Sequence, residues 1–167
     1  MRILLKFILF LLVPLSTVAA NTDIVKIREL YYKASTNRAD AETFYKMMQA
    51  NLKIERSLSE GYKGMSYMIK ANFDFNPYYK LSYFIKGKDL LDAAIENDPK
   101  NVELCFLRFC VQTNAPAFLG YRGKISEDKK VIITGYNNLE DLDLKNRIKE
   151  YMLSSKSCSK EEKKIFS

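Results

Sequence analysis

Apolar residues recur at helical spacing through most of the chain, most clearly between Asn76 and Cys110. Asn76 and Pro77 mark a helix start, because Asn caps helices and Pro suits the first helical position. One face of the following segment carries the apolar residues Leu81, Phe84, Ile85, Leu91, Ala94 and Ile95. The helix should end at Asp98, because Pro99 disfavours the α conformation of the residue before it.

A second helix is predicted directly after this stop, with Asn101 as its cap and Glu103 in its first turn. Its apolar residues cover nearly every side and predict a central position: Val102, Leu104, Cys105, Phe106, Leu107, Phe109, Cys110 and Val111. Arg108 lies within this run, so we expect a buried, structural arginine that needs a carboxylate partner. The candidate partners on the preceding helix are Asp89, Asp92 and Glu96.

The same helical spacing of apolar residues predicts helices elsewhere in the chain. One is capped by Thr22 or Asp23, one begins near residue 41, and one covers about residues 58–72. Ser126 is expected to cap another, and Asp141 or Asp143 to open the last. The β-branched run Val131–Thr134 leaves helix and strand both open, with helix preferred because no partner strand is visible.

The stretch LLDAAIENDPKN resembles the second helix and closing turn of a tetratricopeptide repeat. The likeness rests on Gly87, Leu91, Ala94 and Pro99 at that repeat's spacing, and Gly87 would let a neighbouring helix come close. The longer stretch through CFLRFCVQTNAPAFLGY is similar to a family of small exported bacterial proteins without an assigned activity. With the short connections, these likenesses predict an all-α fold: stacked antiparallel helical hairpins, a tetratricopeptide-like bundle of about six to seven helices.

The first twenty residues have the pattern of a secretory signal peptide. Arg2 and Lys6 precede a short apolar run, and small residues allow cleavage after Ala20. An uncleaved membrane anchor is the alternative, but the run is shorter than the roughly 20 apolar residues that span a bilayer. We therefore expect a signal peptide at 1–20, a helical domain at 21–153 and a frayed polar tail at 154–167, in a periplasmic or secreted protein.

The net charge of the chain and its distribution limit the kinds of partner that the protein can be expected to bind. Two of the 27 basic residues and none of the 20 acidic ones lie in the predicted signal, which leaves a net charge of +5 on the rest. This excess is scattered among acids, so nucleic acid is not an expected partner. A solvated basic surface is the simpler interpretation, with weak attraction to anionic envelope surfaces as the alternative.

No catalytic, metal or cofactor site is predicted. The chain has no His and no Gly-rich phosphate loop. Ser126 and Ser157 each begin a Ser-x-x-Lys sequence, but the other motifs of acyl-enzyme hydrolases are absent. The acidic cluster at 140–143 lacks the Gly and the spacing of a calcium loop, and a helix start explains it more simply.

The three cysteines are expected to stay reduced. Cys105 and Cys110 lie about 140° apart on one helix, so they should not pair with each other and are interpreted as buried structural residues. Cys158 in the tail is close enough in principle to reach one of them, and that alternative stays open.

If the protein has one binding site, the sequence favours the segment 114–124, NAPAFLGYRGK. Phe118 and Leu119 should anchor it on the core, which would hold Tyr121 and Arg122 outward for stacking and for binding a carboxylate or phosphate. Tyr78 and Tyr79 are expected at an exposed rim beside it. An ordinary connection is the simpler alternative.

These observations favour an exported, non-catalytic protein-interaction or scaffold module that binds another envelope protein. The alternative is a periplasmic protein that binds a small ligand or an envelope polymer. An enzyme is a third hypothesis, weakened by the missing catalytic groups.

Overall fold

The computed structural model describes the backbone of residues 16–50 and 52–167, with side chains from residue 24 onward. This part of the chain contains eight α-helices and no strand: α1 Ser16–Ala34, α2 Arg38–Met48, α3 Arg56–Phe73, α4 Pro77–Asn97, α5 Val102–Asn114, α6 Ile125–Tyr136, α7 Leu142–Ser154 and α8 Lys160–Lys163. The predicted all-α bundle is confirmed. Residues 131–134 belong to α6, so the strand alternative is wrong.

Local capping determines where several helices begin. The side-chain oxygen of Asn76 accepts from the amide of Tyr78, and that of Asn101 accepts from Glu103 and Leu104. Asp141 caps α7 by accepting from Leu144. The turn through Pro99 separates α4 from α5 as predicted. Ser126 is not a cap, because α6 begins at Ile125 and its cap position is occupied by Lys124.

The first helix differs from its prediction. No cap starts it at Thr22 or Asp23; the backbone is helical from Ser16 onward. The predicted cleavage point after Ala20 falls within this helix, and residues 1–15 lie outside the described residues, so the signal peptide stays a prediction. None of the described helices is both long and apolar enough to cross a bilayer.

From α1 to α6 each helix packs against the next, and α3 against α4 is the most extensive pair. These two cross at Gly64 and Gly87. A Cβ placed on Gly87 would lie 2.6 Å from the backbone oxygen of Gly64, and a Cβ on Gly64 would lie 2.6 Å from that of Gly87. The predicted close approach at Gly87 is therefore confirmed, whereas the relationship to tetratricopeptide repeats stays a prediction.

The central helix is α5, with Leu104 and Phe109 fully buried. α7 covers it through Tyr151, whose ring lies edge-on to Phe106 at 5.6 Å between centroids. Every buried side-chain nitrogen or oxygen among the described residues has a hydrogen-bond partner.

The predicted frayed tail is instead ordered. Ser159 and Glu162 form a capping box around α8, and the following turn buries Phe166 completely. The Phe166 ring packs on Tyr136 with 4.7 Å between centroids. Phe166, the buried Cys158 and the ion pair between Lys129 and Glu162 together hold residues 155–167 against α6 and α7.

The connections between the helices lie at two ends of the bundle. The connections 35–37, 74–76 and 115–124 form the aromatic end. The described residues of the connection between α2 and α3, 49–50 and 52–55, form the opposite end with the connections 98–101 and 137–141. Contacts support this grouping: the guanidinium of Arg38 lies 5.1 Å from the Phe75 ring centroid, and Val102 packs against Gly135.

Candidate functional site

The connection 115–124 is held by a buried ionic network. Arg108 is only 5% exposed and donates to the fully buried carboxylate of Asp128, with 2.7 Å from Nη2 to Oδ1. Its Nη1 also donates to Asp92, at 3.1 Å. Gln112 donates to Asp128 at 2.8 Å and accepts from the amide of Lys124 at 2.8 Å. The predicted burial of Arg108 and its pairing with Asp92 are confirmed, but the main partner is Asp128.

Tyr121 does not project outward, contrary to the prediction. It is 8% exposed, its hydroxyl donates to Asp92 at 2.7 Å, and its ring packs edge-on to Phe84. Burial and the neighbouring Asp92 carboxylate raise its pKa well above the usual range. Tyr121 is thus a structural residue that fastens the connection to α4.

The neighbouring residues also depart from the prediction. Phe118 does not anchor the connection, because it is 86% exposed, and only Leu119 is partly buried. Arg122 is exposed as predicted, but its guanidinium donates to the carbonyl of Ala115 at 3.0 Å. This hydrogen bond stabilises the turn. It also occupies one of the guanidinium N–H donors that would otherwise bind an anion.

Tyr78 and Tyr79 are exposed as predicted, with their rings 5.8 Å apart. Tyr78 lies on an outer face of α4 with Leu81 and Ile85, which are also exposed. The four predicted binding residues therefore do not converge on one site.

A second buried ionic network joins α1 to α5 and α7. No pattern in the sequence predicted it. Arg28 is 2% exposed and forms a two-pronged pair with Glu103, at 2.6 and 2.7 Å. Its Nη1 also donates to Asp141 and Asp143, and Tyr62 donates to Glu103 at 2.6 Å. The acidic cluster is explained by this arginine and by the cap of α7.

A partly enclosed cavity lies between α1, α3, α4, α5 and α7 and has a volume of about 370 Å³. We call it the apolar pocket. Its walls are largely hydrocarbon and aromatic: Tyr31, Met65, Met68, Ile69, Phe84, Phe106, Leu107, Val111, Leu119 and Tyr151. Ser35, Asn72 and Asn114 line it where three helices end, so the pocket reaches the aromatic end of the bundle.

Cys110 faces the apolar pocket. It keeps some accessible surface, yet burial raises the pKa of its thiol far above the ordinary value. Both observations fit a side chain whose accessible surface faces an interior cavity instead of bulk water. A thiol in this state supplies little thiolate and is a poor nucleophile.

Hydroxyl and amide groups gather at one wall of the apolar pocket. The Tyr151 hydroxyl lies 2.6 Å from both Thr113 Oγ1 and Asn114 Nδ2. Burial raises the pKa of Tyr151 to about 12, so the group stays protonated and acts as a neutral hydrogen-bonding site. The pocket therefore offers an apolar volume with a small uncharged polar edge.

All three cysteines are free thiols in the structure. Cys105 is buried as predicted, Cys110 is partly accessible through the pocket, and Cys158 packs beside Met152 with 4.0 Å between the sulfurs. Burial raises the pKa of Cys105 to about 12, in keeping with a structural role.

The sequence contained one signal for this cavity. Small or polar residues lie at or near the ends of several helices around the cavity, namely Ser35, Asn72, Asn114 and Ala115. The helices themselves carry large apolar side chains. Such a pattern can only be interpreted once the helices are known to end side by side.

Comparisons of the chain with protein-family models, with curated proteins and with solved structures gave no match.

Proposed function

We propose that the protein is a non-catalytic binding protein for a small apolar molecule, which it holds in the apolar pocket. The observation that supports this proposal is a cavity of about 370 Å³ with mainly apolar walls and a neutral polar edge. This volume lies within the range of small-molecule sites. A ligand with a short hydrocarbon or aromatic body and one hydrogen-bonding group fits this lining.

A binding role is preferred to catalysis because the ionisable groups at the cavity are held in their neutral forms. Burial raises the pKa values of Cys110, Tyr31 and Tyr151, which disfavours a thiolate or phenolate nucleophile at neutral pH. Export to the periplasm, as the N-terminal pattern suggests, is part of this proposal.

The test is the binding of N-phenyl-1-naphthylamine, an apolar dye whose fluorescence rises in a hydrocarbon environment. Ser35 is an exposed residue at the mouth of the pocket, and its hydroxyl donates to the carbonyl of Tyr32. Ser35→Phe should block the mouth and reduce dye binding at least tenfold. The matched control is Thr134→Phe, because Thr134 is also exposed, its hydroxyl donates to the carbonyl of Lys130, and neither residue lines the pocket.

Equal dye binding by the parent protein and by both variants would reject the pocket as the site. Circular dichroism and thermal midpoints should stay close to the parent in both variants, because both positions are exposed at or near helix ends.

A protein-interaction module is the second candidate, and the outer face of α4 favours it. Tyr78, Leu81 and Ile85 are exposed at helical spacing and form a shallow apolar strip. In a pull-down from envelope extract, Leu81→Glu with Ile85→Glu should abolish recovery of a specific partner, whereas Ser35→Phe should not. Undiminished recovery of the partner by the Leu81→Glu, Ile85→Glu variant would reject the outer face of α4 as the interface.

A further inference from the structure

We propose that the aromatic end of the bundle docks on the surface of an anionic lipid bilayer. Large apolar side chains project there from two separate connections, cations lie among them, and the apolar pocket reaches the same end. Docking on the bilayer depends only on these exposed groups. The further idea that docking lets the pocket take up an apolar ligand from the membrane rests on the proposed function.

The projecting groups are unusually exposed. Phe75 is 88% exposed on the connection between α3 and α4, and Phe118 is 86% exposed on the connection between α5 and α6. Tyr78 and Tyr79 follow Phe75 in the first turn of α4 and are also exposed. Tyrosine, with an apolar ring and a polar tip, suits the boundary between lipid and water.

Positive charge accompanies these aromatics. The exposed cations at this end are Lys33, Arg38, Lys80, Arg122 and Lys124. The acids at or beside these connections are Asp40, Asp74 and Glu127, and Glu127 pairs with Lys124 at 2.8 Å. The balance is therefore positive, which matches a surface of anionic lipid headgroups.

Geometry favours a bilayer over a folded partner. Phe75 is 88% exposed and Phe118 is 86% exposed, on different connections, whereas the side chains of a continuous apolar patch would partly cover one another. A protein interface needs a complementary, closely packed surface. A bilayer accepts separate side chains into its interfacial region and attracts the cations between them.

Docking by the aromatic end would place the apolar pocket next to the bilayer. Leu119 lines the pocket directly beside the projecting Phe118, and Ser35 lies at the pocket three positions before Arg38. In the docked orientation the pocket faces the lipid, so an apolar molecule would pass between membrane and pocket with little exposure to water.

The experiment exploits the absence of tryptophan from the chain. Phe118→Trp introduces a single tryptophan at the aromatic end. The matched control is Leu142→Trp, because Leu142 is 70% exposed beside the connections of the opposite end. Each variant is mixed with vesicles of phosphatidylglycerol and phosphatidylcholine, and with the same lipids brominated in their acyl chains. Both variants carry the same N terminus, so residues 1–20 contribute equally.

The tryptophan emission of the Phe118→Trp variant is expected to shift to shorter wavelength and to be quenched by brominated lipid, with no such change in the control. Equal responses from the two variants, or a response only in the control, would overturn the proposal. A shift of the Phe118→Trp emission that depends on protein concentration without vesicles would also overturn it, since the surface would then join two copies of the chain.

Charge reversal supplies a second measurement. Lys80→Glu at the aromatic end should weaken partitioning onto anionic vesicles at least tenfold, because each basic residue near such a surface contributes about fivefold. Lys100→Glu, an exposed residue of the opposite end, should change it less than twofold. Equal effects would contradict the orientation. Binding of the dye without vesicles tests the pocket separately, so either proposal can fail alone.

Discussion

Arg108 and Asp128 form an ion pair sealed from solvent, with two nitrogens of the guanidinium donating to one carboxylate at 2.7 and 2.9 Å. The Asp128 side chain has no exposed surface. A charge buried this deeply is tolerated only while its partner is present, because the protein interior does not solvate an isolated ion.

We therefore expect Arg108→Met to destabilise the protein by about 3 kcal/mol, since it leaves Asp128 buried and unpaired. Replacing both partners, as Arg108→Met with Asp128→Leu, should recover part of that loss. Arg147→Met is the control, because Arg147 pairs with Asp143 on a partly exposed helix face and should cost less than about 1 kcal/mol. Urea denaturation measures all three, and an unchanged midpoint in Arg108→Met would contradict the network.

Gly64→Ala should lower the free energy of unfolding by about 2 kcal/mol. The added methyl group would meet the backbone oxygen of Gly87 at 2.6 Å, and a backbone cannot move aside as a flexible side chain can, so α3 and α4 would have to separate. Gly123→Ala provides the comparison, because its new methyl group meets no atom within 4 Å. In thermal melts Gly123→Ala should stay within about 0.5 kcal/mol of the parent. Equal melting of both variants would show that the helices tolerate a methyl group at their crossing.

Phe166→Ala should destabilise the protein by about 3 kcal/mol, because it removes a fully buried ring from its packing against Tyr136. Ile165→Ala, at the neighbouring and partly exposed position, should cost less than half as much. Limited proteolysis adds an independent measurement: the C-terminal segment should become cleavable in the Phe166 variant and stay protected in the Ile165 variant. Cleavage at equal rates would mean that the tail is not held by this ring.

The contribution of Asp141 to the stability of the fold should depend on pH in the acid range. Burial alone would raise its pKa, but the amide of Leu144 and the guanidinium of Arg28 outweigh it and lower the pKa below 3.8. Its contribution to stability is therefore complete well above pH 3.8 and is lost as the pH falls through the lower folded value. Asp141→Asn should be less stable than the parent at about pH 6, and the difference should shrink toward about pH 3. A constant difference across that range would contradict the shifted pKa.

Several local features of the fold could be predicted from the sequence, whereas most long-range ones could not. The predicted caps at Thr22 or Asp23 and at Ser126 were wrong. Asn76, Asn101 and Asp141 act as helix caps because capping depends on residues two or three positions away. Gly87 could be predicted as a point of close approach, but its partner Gly64 could not. The identity of a partner depends on how helices are aligned across the bundle, which no local pattern specifies.

The candidate site shows the same division. Tyr78 and Tyr79 were expected at an exposed rim, and both are exposed. Tyr121 was misplaced because its direction depends on Asp92, which lies 29 positions earlier in the chain. The volume of the apolar pocket could not be predicted either, since its walls come from five helices and two connections that meet only in the folded protein.

The pairing of Arg28 with residues near position 141 has a consequence for how the chain acquires its structure. Asp141 lies 113 residues after the arginine that it binds, so this contact closes a long loop of chain. The first hairpins can form early from neighbouring segments, but the Arg28 side chain keeps part of its hydration until the start of α7 reaches it. Closure of the bundle around α1 is therefore expected to be a late step of folding.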